Sequence, residues 1–164
     1  MGSGTRNSTA GAMRLAIGSA TVHDLASVAA IERVAFSDPW SLRSFRQALD
    51  SPTVFFACAR SDGGGVLGYV VAWFVADQGE IANIAVAPDH RGHGVGRALL
   101  DAALSEAEVR GISAVFLEVR DSNRRARELY ASRGFEEVGR RRRYYRKPVE
   151  DAIVLRRTLS LAGV

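Results

Sequence analysis

The run Arg91-Gly92-His93-Gly94-Val95-Gly96-Arg97 has the composition of an anion-binding turn. It follows an apolar stretch, Ile81-Ala82-Asn83-Ile84-Ala85-Val86-Ala87-Pro88, and opens a helical pattern, Ala98-Leu99-Leu100-Asp101-Ala102-Ala103-Leu104. Strand, glycine-rich turn and helix N-terminus in that order aim unpaired backbone N–H groups at an oxyanion, and the glycines let the chain approach it closely. Arg91 and Arg97 add positive charge at the same end. The implied ligand carries phosphate. A Walker loop does not fit, because Gly96 is followed by Arg97-Ala98 where Gly-Lys-Ser/Thr is required. A dinucleotide fingerprint does not fit either, because the third glycine stands at 96 and the G-x-G-x-x-G spacing puts it at 97.

A second constellation lies downstream. Residues 115–135 read Val-Phe-Leu-Glu-Val-Arg-Asp-Ser-Asn-Arg-Arg-Ala-Arg-Glu-Leu-Tyr-Ala-Ser-Arg-Gly-Phe. The R-x-x-G-x-G of residues 91–96 resembles the pyrophosphate loop of the GNAT superfamily of N-acetyltransferases. The downstream segment resembles the L-E-V-R-x-S-N-x-x-A-x-x-L-Y-x-x-x-G-F run of its RimI-type members, which acetylate the N-terminal alanine of a small-subunit ribosomal protein. Asp38-Pro39-Trp40-Ser41, Asn83-Ile84-Ala85-Val86, Arg142-Arg143-Tyr144-Tyr145 and Glu150-Asp151-Ala152 extend the match in order. Together these cover residues 13–159. Three departures stand out: His93 fills a variable loop position often taken by a polar or basic residue, Ala87 replaces a common acid before the proline, and Arg140–Arg143 is more basic than an Arg-Arg pair.

The resemblance implies acetyl-CoA as cosubstrate, with its pyrophosphate on the backbone of Arg91, Gly92, His93, Gly94, Val95, Gly96 and Arg97. It implies that Ile84, Ala85 and Val86 pair with the pantetheine arm as a pseudo-strand. Asn123 would hydrogen-bond that arm, and Tyr130 would protonate the coenzyme A thiolate. Asn123 and Tyr130 are seven residues apart, two helical turns, so one helix face can present both. Trp40 and Tyr145 resemble the aromatic walls around a peptide N-terminus.

Acyl transfer from a thioester needs a neutral amine, a donor for the carbonyl oxygen and a proton for the departing sulfur. Glu118 is the candidate base, acting directly or through water. It interrupts the apolar run Ala114-Val115-Phe116-Leu117…Val119, where an unpaired carboxylate would be costly to bury. The backbone N–H of Val86 is the candidate oxyanion donor. A modest base suffices for an α-amine, whose pKa lies near ~8 against ~10.4 for lysine. The cofactor half does not choose the acceptor, so lysine, an antibiotic amine or a polyamine remain alternatives. So does a ribosome- or RNA-associated binding module with a vestigial site, which the Arg140–Arg143 tetrad would serve. A charged edge strand explains that tetrad equally well.

The elements needed to position these groups are legible. A strand is expected over 14–20, then a helix from Thr21 with Asp24 completing a variant capping box, ended by Asp38-Pro39-Trp40. A short helix over 41–49, strands over 53–60 and 66–75 around Asp62-Gly63-Gly64-Gly65, and a strand over 80–86 follow. The helix after the glycine turn carries Val95, Leu99 and Ala103 beside Leu100, Leu104 and Ala107, and stops at Gly111. A strand over 114–119, a helix over 123–133 stopped by Gly134, and two closing strands complete the pattern. This is α/β (α+β): a single mixed, mostly antiparallel sheet of about seven strands with helices on both faces.

Composition sets the remaining bounds. One domain is expected over 13–164, with the Gly/Ser/Thr-rich residues 1–12 read as a disordered extension or a tag remnant. No apolar run reaches the ~20 residues of a membrane helix. One cysteine, Cys58, rules out an internal disulfide and is read as a buried strand residue in a reducing, cytoplasmic setting. A net charge of +4, from 22 basic and 18 acidic groups, suits an anionic cofactor and gives no case for DNA. His23, His90 and His93 lack metal-ligand spacing, so no metal is expected. The expected partner is a protein or peptide N-terminus met by a monomer.

Overall fold

The computed structural model describes residues 14–159, so the extension read into residues 1–12 lies outside the described residues. The elements run β1 (Leu15–Ser19), α1 (Leu25–Ala35), α2 (Leu42–Leu49), β2 (Val54–Ser61), β3 (Val66–Val75), β4 (Gln78–Val86), α3 (Val95–Val109), β5 (Ala114–Arg120), α4 (Arg124–Ser132), β6 (Glu136–Arg146) and β7 (Val149–Thr158). They form one seven-stranded sheet in the order β1-β2-β3-β4-β5-β7-β6, antiparallel everywhere except between β4 and β5. The expected mixed sheet is present, and α3 supplies the crossover that a parallel pair requires.

Two apolar layers hold the helices to opposite faces. On one face, Val95, Leu99, Leu100, Ala103, Leu104 and Ala107 of α3 join Tyr130 of α4 over Val70, Ile81, Val115, Leu117 and Ile153. On the other, Leu25, Val28 and Phe45 of α1 and α2 pack on Phe56, Cys58, Tyr69 and Val71. The α3 stripe is buried as the i, i+4 spacing predicts, and Cys58 is fully buried in β2. Burial pushes its thiol pKa up to about 12, which keeps it an inert apolar residue.

Two details of the sheet shape the site. First, β4 and β5 pair only over Gln78–Glu80 and Ala114–Phe116, and beyond that the strands part. Second, a bulge interrupts β4 opposite Val71/Ala72. Ile81 faces the α3 layer, whereas Ala82, Asn83 and Ala85 face α1; Ile84 and Val86 face α3 again. The extra residue re-aims the strand's C-terminal half.

A buried polar knot fixes the segment after α1. The Glu32 carboxylate, 1% exposed, accepts from Tyr69 Oη, from Asn83 Nδ2 at 2.7 Å and from the Trp40 backbone N–H at 3.2 Å. Burial pushes its pKa up, against those hydrogen bonds. Three donors on one buried acid pin the 36–41 segment to β3 and β4.

Several boundaries differ from the sequence expectation. The first helix opens with a 3-10 turn over Val22–Asp24 and becomes α-helical at Leu25, although the Thr21/Asp24 capping box forms. Asp24 is also claimed by an ion pair to Arg60, and this long-range partner fixes the turn. Asn123 lies outside α4 as its N-cap, its Oδ1 accepting from Ala126 N–H at 3.2 Å. β4 begins at Gln78, because Ala76-Asp77 alone close the hairpin from β3.

Candidate functional site

The cofactor half assembles where β4 and β5 part. A cavity of about 680 Å³ is lined by Ile84, Ala85, Val86, Arg91, Gly92, Gly94, Val95, Gly96, Arg97, Asn123 and Tyr130. Eleven of the residues singled out by sequence therefore share one cavity wall. His93 is exposed and is not among the lining residues; His90 is. Sequence reasoning missed Ala35 and Phe36, which close the cavity from the end of α1, and Arg125, Glu128 and Ser132 from α4. Phe36 stands two residues before the Asp38-Pro39-Trp40-Ser41 run, the one signal that marked this segment.

Backbone alternation makes the strand edge usable. The Ala87 N–H donates to Leu67 O at 2.8 Å, toward β3. The N–H groups of Val86 and Ile84 therefore turn to the opposite edge, the one β5 has left. There Arg91 Nε donates to Val86 O at 3.2 Å, which ties the start of the glycine turn to the strand end. An extended amide-bearing arm can pair with this edge, and the Val86 N–H is placed as a donor.

The turn itself fits a diphosphate. Gly92 and Gly94 have φ of 82° and 83°, the left-handed region that side chains other than glycine rarely adopt. Gly94 caps the fifteen-residue α3, whose first N–H groups open toward the cavity. Gly96 has an ordinary φ, and a Cβ there would meet only Val86 and Leu129 side chains at 3.6 and 3.7 Å. The protein's own packing thus tolerates a side chain at 96. Gly96→Val is expected to leave the fold intact and weaken acetyl-CoA binding by about tenfold or more, since ~1.4 kcal/mol is tenfold. Calorimetry showing unchanged affinity in the folded variant would remove the diphosphate from this turn.

Tyr130 is both core and cavity wall. Its ring meets Phe135 edge-on at 5.7 Å, as an apolar role requires. Yet no buried side-chain polar atom among the described residues lacks a partner, and its hydroxyl bonds to no protein group among them, so that hydroxyl is open to the cavity the residue lines. Burial, followed by the nearby Tyr145, pushes its pKa well up.

Glu118 stands on the far side of the sheet from α3. Along β5, Val115, Leu117 and Val119 are buried in the α3 layer, which turns Phe116, Glu118 and Arg120 to the other face. Glu118 lines a separate cavity of about 480 Å³ with Trp73, Glu80, Phe116 and Arg141. Its side chain is 18% exposed and is paired with Arg141 Nε at 2.6 Å, so the carboxylate is neither unpaired nor turned freely to solvent. Interaction with the Glu118 carboxylate, ahead of burial, pushes the Tyr144 pKa up. Burial and then the Glu118 charge push that of Tyr145 up to about 12. Tyr145 thus stands within electrostatic range of both Glu118 and Tyr130.

Trp40 is half-buried, stacked on Trp73 at 6.0 Å and tilted against Phe45 at 5.3 Å. It braces the aromatic row next to the second cavity. The arginine tetrad is partly consumed within the molecule. Arg140 pairs with Asp121 at 2.9 Å and Asp151 at 3.1 Å, and Arg141 with Glu118. β6 also bulges between Arg141 and Tyr145, with Arg143 at φ 52°, so the four arginines are not one straight basic face. Among the described residues no trio of His, Cys, Asp or Glu is grouped to hold a metal ion, and no helix is long and apolar enough to cross a membrane.

The acetyltransferase (GNAT) family profile matches residues 21–135. The chain is 36% identical over 147 residues to the [ribosomal protein bS18]-alanine N-acetyltransferase of Escherichia coli, covering 88% of this chain and 98% of that protein. It is 39% identical over 155 residues to the N-alpha-acetyltransferase RimI of Mycobacterium tuberculosis, covering 91% and 96%. The crystal structure of the Escherichia coli ribosomal-protein-S18-alanine N-acetyltransferase superposes with a TM-score of 0.83, at 92% and 97% coverage.

Proposed function

The chain belongs to the acetyltransferase (GNAT) family, and from that premise we propose that it moves an acetyl group from acetyl-CoA to the α-amine of a peptide N-terminus, alanine of a small-subunit ribosomal protein being the preferred acceptor. One observation carries the reading. The parted β4–β5 edge lies between the cavity that holds Asn123 and Tyr130 and the opposite face that holds Glu118, with Tyr145 packed against Arg120 of the same strand. A thioester delivered along that edge from one side meets an amine delivered from the other.

Each residue then has a defined task. Asn123 Nδ2 is free to bond the pantetheine arm, because its Oδ1 is spent on the helix cap. The open edge of Ile84 and Val86 pairs with that arm, and the Val86 N–H stabilises the carbonyl oxygen as charge develops. Acetyl-CoA supplies an activated acyl group on a thiolate leaving group. Glu118 accepts the amine's proton once Arg141 yields its place, and Tyr130 donates toward the departing sulfur. Trp40 and Tyr145 border the acceptor's approach. Lysine suits this machinery less well: near pH 7 its neutral fraction is a few hundred times smaller than that of an α-amine. The cytoplasm is where such an N-terminus and acetyl-CoA meet.

A panel of short peptides differing only in the first residue tests the reading by mass spectrometry. The alanine-initiated peptide is expected to be acetylated at its α-amine, and an N-terminally blocked version with an internal lysine to remain unmodified. Acetylation of the blocked peptide, or of a free polyamine in preference to any peptide, would replace the proposed acceptor.

A further inference from the structure

Arg120 ends β5 on the same face as Glu118, and its guanidinium, on a side chain only 23% exposed, has more partners than a strand terminus requires. Nη2 donates to Ser37 Oγ at 3.0 Å, in the segment between α1 and α2. Nη1 donates to Pro148 O at 3.0 Å and Nη2 to Lys147 O at 3.3 Å, in the turn between β6 and β7. Nη1 also meets Glu150 Oε1 at 3.2 Å, and the guanidinium carbon lies 4.3 Å above the Tyr145 ring. Glu150 in turn accepts the Ser122 N–H, which anchors the far end of the cluster to the stretch before α4.

These two loops come from opposite halves of the sheet. The first precedes Trp40, and the second follows Tyr145. Resting on the acceptor reading above, we propose that Arg120 is a positioning residue that ties the α1–α2 segment to the β6–β7 turn across the entrance to the acceptor face, and that it holds the Tyr145 ring in place there. Only a planar fork with several fixed donors can reach a hydroxyl on one loop and two carbonyls on the other while stacking on an aromatic ring. A lysine at 120 keeps the charge and reaches one loop at a time. The entrance is thereby preformed, and its loops need not be ordered by the peptide itself, which lowers the cost of acceptor binding.

Hydrogen exchange of the full-length protein gives a readout that does not depend on the acceptor. In Arg120→Gln, amides of segments 36–41 and 146–150 should exchange about tenfold faster together, with α3 and the core of β5 unchanged. The acceptor KM should rise about tenfold while acetyl-CoA affinity stays within about twofold, because of the loosened residues only Phe36 lines the cofactor cavity, whose strand edge, glycine turn and α4 wall are unchanged. Arg120→Lys should restore the charge and not the coupling: one segment recovers protection and KM stays raised. Ser37→Ala, at an exposed position that cannot unfold the chain, should loosen segment 36–41 alone. Loosening of neither segment, or of only one, in Arg120→Gln overturns the tie. An equal loss of acetyl-CoA binding also overturns it, since Arg120 would then act on the whole fold. If both segments loosen and the parent protein acetylates no peptide, the tie stands and the proposed acceptor falls.

Discussion

Tyr130→Phe is expected to lower turnover about 100-fold, the usual size of a lost general-acid or preorganised donor, while acetyl-CoA affinity changes by no more than about twofold. The split follows from where the hydroxyl sits. The Tyr130 ring is packed against Phe135 and buried under α4, and phenylalanine keeps that packing. The residue also lines the cavity, and in the proposed reaction only the departing sulfur uses its oxygen. The pH dependence sharpens the expectation. Because burial holds the phenol well above its ordinary range, Tyr130 stays protonated throughout working conditions. It is a donor at every usable pH and contributes no titration limb of its own. The loss should therefore be uniform from about pH 6 to about pH 9. Turnover within about twofold of the parent would return Tyr130 to a purely apolar role, and a loss confined to alkaline pH would mean that the phenol titrates and is less buried than its packing implies.

The same residue marks how far sequence reading goes. Spacing brought Asn123, which is the N-cap of α4 and not one of its helical residues, to one cavity wall with Tyr130, and it put the glycine turn at a helix start. The α3 stripe, the helix stops before Gly111 and Gly134 and the Asp62–Gly65 hairpin belong to the same local class. What could not be read locally was set by distant partners. The capping box at Thr21 was legible, but Asp24 is also held by Arg60, thirty-six positions away, and a 3-10 turn results. Glu32 follows Leu25, Val28 and Ala29 in the helical series, but nothing local shows that it is buried where Tyr69, Asn83 and the Trp40 amide converge. The bulges in β4 and β6 are equally silent in composition, and they decide which way Ile84 and Arg141 point. Arg141 against Glu118 is the most consequential of these: an apparently basic surface run puts one member onto the candidate base.

That pairing bears directly on Glu118→Gln, for which the expected result is a pH-dependent loss. Glutamine keeps the shape of the side chain on β5 but cannot take up a proton. Arg141, with its side chain 60% exposed, is rehydrated when its partner's charge is removed, so the substitution should cost less than about 1 kcal/mol of stability. If Glu118 removes the acceptor's proton, activity on an alanine-initiated peptide should fall most at low pH, where almost all α-amine is protonated. It should partly recover as pH rises past the amine's own pKa near ~8, where the neutral nucleophile forms without help. A lysine acceptor would show no such recovery, since its amine stays protonated to about 10.4. Arg141→Gln supplies the counterpart: it leaves the carboxylate in place and removes its competitor, so acceptor KM should fall while the shape of the pH profile is kept. One pH–rate profile per variant separates the roles. A uniform loss in Glu118→Gln would make the carboxylate an anchor for the acceptor's positive charge and not its base. No loss at all would move the base elsewhere and leave the Glu118–Arg141 pair as a structural link between β5 and β6.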